Sequence, residues 1–350
     1  MKRIFLLAGF FVSGYYIADA QSCAQTLRLA RSTYEQGKLH ELPLLLDKCL
    51  GENGFNTLPE KVDALKILTL AYIYLEEPEK ADETMLKLLQ TDHYFKINEA
   101  VDPAEFVALY RTFRTLPIYR IGGKFGAMAT QPNVSSSNFA NDGTSKYDSK
   151  IGVIAGATAE IPVFKHRFTL NPELYFQLRN FSFNNTHGIA STPSTEAQSI
   201  IALPVSLQYG LLKKQIEARK LLNKFAIEPY VGLGIQADYL LSSSLTISTS
   251  KTAELPIAEK TYDVKNQRNP LNISAIISGG AKLEAGPGYL ILEARYYYGL
   301  TKLLNSKDVY ANPFPVFDNY AVDGIFSLNS VSISVGYAYN IFNPKKLISK

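Results

Sequence analysis

The sequence predicts an α+β multidomain chain: an N-terminal α-helical module followed by an eight-stranded antiparallel transmembrane β-barrel. Three observations predict it. The apolar period changes from 3.6 to 2 near Ile118, eight alternating segments follow, and the connections between them alternate long and short. The expected domains are a signal peptide over 1–20, a helical domain over 21–115, a barrel over 116–342 and a short tail over 343–350.

Composition sets the outer bounds. The chain has 350 residues, and only 19% are charged, below the ~25% of an ordinary soluble domain. After residue 20 no run approaches the ~18 apolar residues of a spanning helix, so a multi-span helical protein is excluded. A net charge of +4 gives no electrostatic case for nucleic acid. The aromatics are 22 Tyr and 19 Phe with no Trp, and Tyr suits a boundary between apolar and wet surroundings.

At the N-terminus, Lys2 and Arg3 precede an apolar run from Ile4 to Val12, and Ala18-Asp19-Ala20 forms an A-x-A cleavage site. Export into an oxidising compartment makes Cys23 and Cys49 disulfide candidates, since they bracket an expected helical hairpin; two buried thiols are the alternative. A lipid anchor on Cys23 is disfavoured, because Ala20-Gln21-Ser22 lacks the usual apolar residue three places before it.

Five helices are expected next. Leu27, Ala30 and Tyr34 mark the first, which Gly37 ends. Leu39, Leu42, Leu45, Leu46 and Leu50 mark the second, and Val62, Leu65, Leu68, Ala71 and Tyr72 the third, opened by Pro59. Pro78 opens the fourth, with Ala81, Met85, Leu88 and Leu89; Pro is tolerated at a first helical position, which needs no amide donor. The fifth begins with Asp102 as N-cap and Pro103 after it, and carries Phe106, Leu109, Tyr110 and Phe113. Leu65, Leu68, Tyr72 and Ala81 fall at the spacing of a tetratricopeptide repeat, which the third and fourth helices resemble. Met85 replaces the usual aromatic, Thr69 stands at the small position, and the preceding copy has Pro43 where Ala is expected. The resemblance implies a binding surface without chemistry of its own; a plain helical bundle is the alternative.

The strand segments are Ile118–Thr130, Lys150–Val163, Arg167–Phe183, Gln198–Leu211, Phe225–Leu241, Asn272–Ala285, Gly288–Lys302 and Phe326–Phe342. Long polar loops are expected after the first, third, fifth and seventh, with shorter turns between, the asymmetry of an outer-membrane barrel. Each strand sets an apolar face against a polar one: Val331, Ile333, Val335, Tyr337 and Tyr339 oppose Ser332, Ser334, Gly336, Ala338 and Asn340. Hydrocarbon demands closure, since it cannot hydrate open edges. Pro172, Pro204 and Pro229 lie inside strands, where bulges are expected. Eight strands leave a lumen only wide enough for side chains. Its charge network is expected to hold Arg120, Lys124, Arg179, Lys282 and Arg295 against Glu160, Glu173, Glu228, Asp238, Glu284 and Glu293, a filled plug.

The Arg120-Ile121-Gly122-Gly123-Lys124-Phe125-Gly126 opening, the Glu228-Pro229-Tyr230-Val231-Gly232-Leu233-Gly234 strand and the Gly-rich, aromatic closing strand resemble the PorT-like family of outer-membrane barrels, common in Bacteroidota, over residues 118–342. Gly336, Tyr339 and Phe342 are similar to a barrel-assembly signal, with Phe342 one place late. The resemblance implies the architecture, outer-membrane lipid and the barrel-assembly machinery as partners, and for some relatives a part in type IX secretion and gliding; it carries over no functional residue.

Chemistry is not expected. His40, His93, His166 and His187 are scattered without metal-ligand spacing, and no catalytic or cofactor motif appears. A lipid-modifying enzyme would use His187 with Ser191 or Ser194 on a loop. The basic turn of Lys213, Lys214, Arg219, Lys220 and Lys224 reads as a solvated turn or a contact for anionic headgroups. The expectation is a non-catalytic Gram-negative outer-membrane protein without cofactors, its residues 21–115 in the periplasm binding another envelope protein, in secretion or surface assembly. A small-solute channel or loop-based receptor is the alternative.

Overall fold

A computed structural model describes residues 23–51, 54–136, 143–163, 167–187, 190–211, 227–248, 250–251, 259–304, 314–315 and 324–347. The expected signal peptide, the basic turn of Lys213–Lys224 and His166 lie outside them. The chain forms two compact units: the helices together with the C-terminal segment from Phe342, and Ile118–Ile341.

The helical unit begins with α1 (residues 23–35). Gly37, at φ +75°, ends it in the left-handed conformation that glycine adopts without strain, and Lys38 N–H donates to Thr33 O at 3.1 Å. A 3₁₀ turn (Leu39–Glu41) leads into α2 (Leu42–Asp47), shorter than the sequence suggests because Pro43 can only stand in a first turn. The disulfide Cys23–Cys49, Cα atoms 5.6 Å apart, ties the start of α1 to the end of α2. Next come α3 (Leu58–Tyr74) and α4 (Pro78–Thr91), joined by a three-residue turn in which Glu76 takes φ +58°. Last is α5 (Ala104–Arg111). Asp102 does not cap α5: its carboxylate pairs with Lys66 and accepts Asn98 N–H at 2.7 Å, and Pro103 occupies the N-cap. One core gathers Leu27, Ala30, Leu42, Leu46, Ala64 and Leu68, and a second gathers Leu65, Met85, Leu88, Phe106 and Phe113. α3 serves both, so it is buried over most of its circumference.

Among the described residues the second unit has ten strands: β1 (Tyr119–Ser136), β2 (Gly143–Val163), β3 (Phe168–His187), β4 (Ala190–Gly210), β5 (Ile227–Ile247), β6 (Ser250–Lys251), β7 (Lys260–Asp263), β8 (Leu271–Ala285), β9 (Gly288–Gly299) and β10 (Ile325–Ile341). Eight of them pair antiparallel in the order β1-β2-β3-β4-β5-β8-β9-β10, and β10 closes on β1 from Tyr119↔Ile341 to Ser136↔Ile325. This is an up-and-down eight-stranded barrel in which each of the eight long strands pairs on both sides. β6 and β7 are short additions to β4 and β5.

Three expectations fail here. The long loop expected between Thr130 and Lys150 contracts, because β1 runs on to Ser136 and β2 starts at Gly143. The polar stretches on either side of the β3–β4 turn are paired strands, not a loop: β3 runs on to His187 and β4 starts at Ala190, so the expected loop over Asn184–Glu196 reduces to a tight hairpin. Its Ser, Thr and Asn side chains look loop-like in sequence, but Asn185, Thr192, Ser194 and Glu196 are buried and continue the inward-facing alternation of Phe181 and Phe183. The expected bulges at the prolines are also absent. The ladder skips two rungs beside Pro172 and Pro204 and resumes in the same register, because a missing N–H deletes a bond without inserting a residue. Register shifts occur instead at Val134/Ser136, Ser149/Val153 and Ser199/Ile200.

Outward positions form an apolar belt. On β3 they read Phe168, Leu170, Pro172, Leu174, Phe176 and Leu178, then turn polar at Asn180; that is the ~9–11 residues a tilted strand needs to cross hydrocarbon. Ile201 to Tyr209, Val231 to Tyr239 and Leu290 to Tyr298 continue the belt, which carries no Asp, Glu, Lys or Arg among the described residues. Exposed Tyr119 and Tyr339 mark one rim, and Tyr239, Tyr296 and Tyr298 the other.

Candidate functional site: a filled lumen and an open helical groove

Inward positions carry the charge. Nearest the chain ends of the barrel, Glu160 (β2) takes Arg120 (β1) at 3.1 Å and Lys282 (β8) at 2.8 Å. The two cations also sit over the rings of Tyr289 and Tyr230, at 4.8 and 4.9 Å. One level on, Lys124 (β1) reaches Glu173 (β3) at 2.8 Å and Glu293 (β9) at 3.2 Å. Arg295 (β9) bridges the same carboxylates at 2.5 and 2.6 Å. Tyr175 and Tyr230 donate their hydroxyls to Glu173 and Glu293, at 2.8 and 2.7 Å. The Tyr230 ring lies over Gly280, where a Cβ would come within 2.7 Å of the hydroxyl, so glycine provides the hollow. A third level pairs Arg179 (β3) with Asp238 (β5) at 2.8 Å, supported by Gln177 and Gln236. A fourth pairs Glu196 (β4) with Arg268, from the segment before β8, at 2.6 and 2.9 Å, with Gln198 and Ser243 donating to the same carboxylate. Toward the loop end, Tyr147, Phe183, Leu245, Ile247 and Val264 pack in one apolar cluster and Phe181, Leu303, Phe326 and Leu328 in another. A cavity beside Arg179 and Asp238 has a volume of about 10 Å³, about one water molecule.

The structure therefore brings nine of the eleven expected lumen charges together, while Glu228 and Glu284 stay half-exposed near strand ends. Sequence reasoning missed Glu196 and Arg268, both fully buried. Glu196 carried a usable signal: with Gln198 it continues the inward parity of Ile200 and Ala202. Arg268 carried none, since it lies in an irregular segment with no period to read. Gly336 (β10) stands opposite Lys124 in the ladder, Tyr339 faces outward, and Phe342 lies one residue beyond β10.

The helical unit carries the larger concavity, about 970 Å³, lined by α2, α3 and α4 and the 3₁₀ turn before them. Leu65, Leu68 and Tyr72 line it, whereas Ala81 is buried and does not. Leu44, 86% exposed, stands on its wall with His40, Lys61 and Lys87. Lys80 pairs with Glu77 at 2.5 Å and lies 5.5 Å from the centre of the Tyr72 ring. The bond to Glu77 raises the Lys80 ammonium above its ordinary pKa, and burial pushes the Tyr72 phenol up.

Among the described residues no cluster of three or more His, Cys, Asp or Glu is placed to hold a metal ion. His187 ends β3 opposite Ala190, Ser191 lies one position on in β4, and Ser194 is buried with its hydroxyl directed to Thr192 O at 3.4 Å. His93 packs on Phe342.

Residues 119–305 match the family model described as outer membrane protein beta-barrel domain. No curated protein matches the chain. Among solved structures, the chain is similar to the outer membrane protein OprG from Pseudomonas aeruginosa, with 11% identity over 64% of this chain and 98% of that one, TM-score 0.33. It is similar to Ail, the attachment invasion locus protein of Yersinia pestis, at 10% identity over 63% and 99%, TM-score 0.26. It is also similar to the translocator domain of the autotransporter NalP from Neisseria meningitidis, at 9% identity over 77% and 99%, TM-score 0.25.

Proposed function

The chain belongs to the outer membrane β-barrel domain family, and from that premise we propose that it is a non-catalytic anchor whose helical unit, in the periplasm, recruits another envelope protein for secretion or surface assembly. One contrast carries this reading. The lumen is filled by paired charges around a cavity of about 10 Å³, whereas the helical unit holds an open concavity of about 970 Å³. A lumen this densely filled among the described residues argues against solute passage, whereas an open groove lined by apolar side chains and by charges of both signs (Asp47, Glu83, Lys61 and Lys87) suits a protein segment. In this reading α3 and α4 are a tetratricopeptide-like repeat, α5 caps it, and the barrel is a PorT-like one.

The test is affinity capture from solubilised envelopes with the full chain, against a variant carrying Leu44→Asp and Lys87→Glu, both surface positions. The wild type should enrich an envelope protein that the variant loses at least tenfold. Equal capture by both would overturn the proposal. A second reading, a receptor at the loop end, is favoured by the way β3, β4 and β5 rise past the belt with uncharged outward Asn180, Ser182, Thr195, Ser244 and Thr246. It expects Thr246→Lys to abolish ligand capture at the cell surface, where the first reading expects no change.

A further inference from the structure

The segment after β10 does not trail away from the helical unit but pairs with it. Arg114 N–H donates to Lys345 O at 2.9 Å and Leu347 N–H to Thr112 O at 2.7 Å, which sets Lys346 opposite Phe113 in an antiparallel bridge. The Arg114 guanidinium donates through two nitrogens to Asn343 O, at 3.0 and 2.6 Å. Phe342 packs on His93 and Tyr94, ring centres 5.4 and 5.0 Å apart, and Lys346 pairs with Asp82 on α4. The receiving segment is anchored by its own unit: the Phe113 side chain is buried in the helical core, and the Thr112 hydroxyl donates to Leu109 O at 2.7 Å. The donated segment is pre-shaped, because Pro344 biases Asn343 toward extended backbone.

We infer that residues 112–114, with the His93–Tyr94 shelf and Asp82, form a binding site for an extended peptide, and that Phe342–Leu347 of the same chain is its occupant. The recognition is strand addition: main-chain bonds supply the hold, an aromatic socket takes the first side chain, and a carboxylate takes a lysine four places on. The C-terminal segment thus works as a latch on the helical unit. This site is separate from the groove, so either proposal stands without the other. The exposed Asp82–Lys346 pair contributes little, which leaves the Arg114 fork, the main-chain pairs and Phe342 as the main hold.

Limited trypsin digestion of the full chain in detergent tests this, read by intact mass at the Lys345 and Lys346 bonds. The wild type should be cut at these bonds at least tenfold more slowly than a free peptide of sequence 341–350. Arg114→Ala should restore fast cutting, and Asp82→Lys should raise the rate several-fold through like-charge repulsion. Heat-modifiable gel mobility checks that the barrel stays folded. Should Arg114→Ala fail to fold, Lys346→Glu added to Asp82→Lys must restore protection at Lys345. Wild-type cutting as fast as the free peptide, or equal rates in all variants, would overturn the inference.

Discussion

Lys124 shows how far the lumen depends on single side chains. Its amine is wholly buried between Glu173 and Glu293, with Arg295 against the same two carboxylates. Removing one member of a buried pair leaves an uncompensated charge and costs about 3–5 kcal/mol. Lys124→Met should fall in the lower part of that range, because Arg295 still faces both acids, and should lower the urea midpoint of unfolding from micelles. Adding Glu293→Gln should recover part of the loss, since it removes the stranded charge; a double variant no more stable than Lys124→Met would contradict the pairing. At this scale the sequence was informative where a period existed. Alternation marked Lys124, Glu173 and Arg295 as inward, but nothing in it tells which cation meets which acid, because partners lie up to four strands apart. Arg268 was illegible for want of any pattern around it.

Among the elements, the belt on β3 gives the sharpest contrast. Leu174 faces outward at mid-belt, and Ser182 faces the same way beyond it. A charged residue at mid-depth costs about 2–4 kcal/mol and near the interface about 0–1. Leu174→Arg should therefore depress folding into lipid vesicles by that larger amount, and Ser182→Arg should be nearly silent; similar effects at both sites would dissociate the apolar band from lipid. The helical hairpin makes a second prediction. Closing a loop between Cys23 and Cys49, 26 residues apart, stabilises by about 3–4 kcal/mol on the chain-entropy account. Cys23→Ser, or reductant, should lower the thermal midpoint of the helical signal and leave the barrel's β signal in place. Helix existence was legible from the leucine spacing. The upper reaches of β3 and β4 were not, because Ser, Thr and Asn serve turns and solvent-facing strands alike, and only burial of the intervening Phe181 and Phe183 separates the two cases.

For the whole molecule the filled lumen predicts silence in planar bilayers: no single-channel steps at any applied voltage, where a solute channel would give them. It has a further consequence for how the cylinder comes into being. Arg295 and Glu173 stand on diametrically opposite staves, as do Lys282 and Glu160, while Lys124 reaches from β1 to both β3 and β9. Neighbouring staves alone satisfy few of these ions. A half-wound sheet would carry bare ammonium and carboxylate groups into hydrocarbon, and only the fully wound one neutralises them together. The ties across the bore act as a keystone: they make completion of the circle all-or-none and leave an incomplete one with nowhere stable to rest.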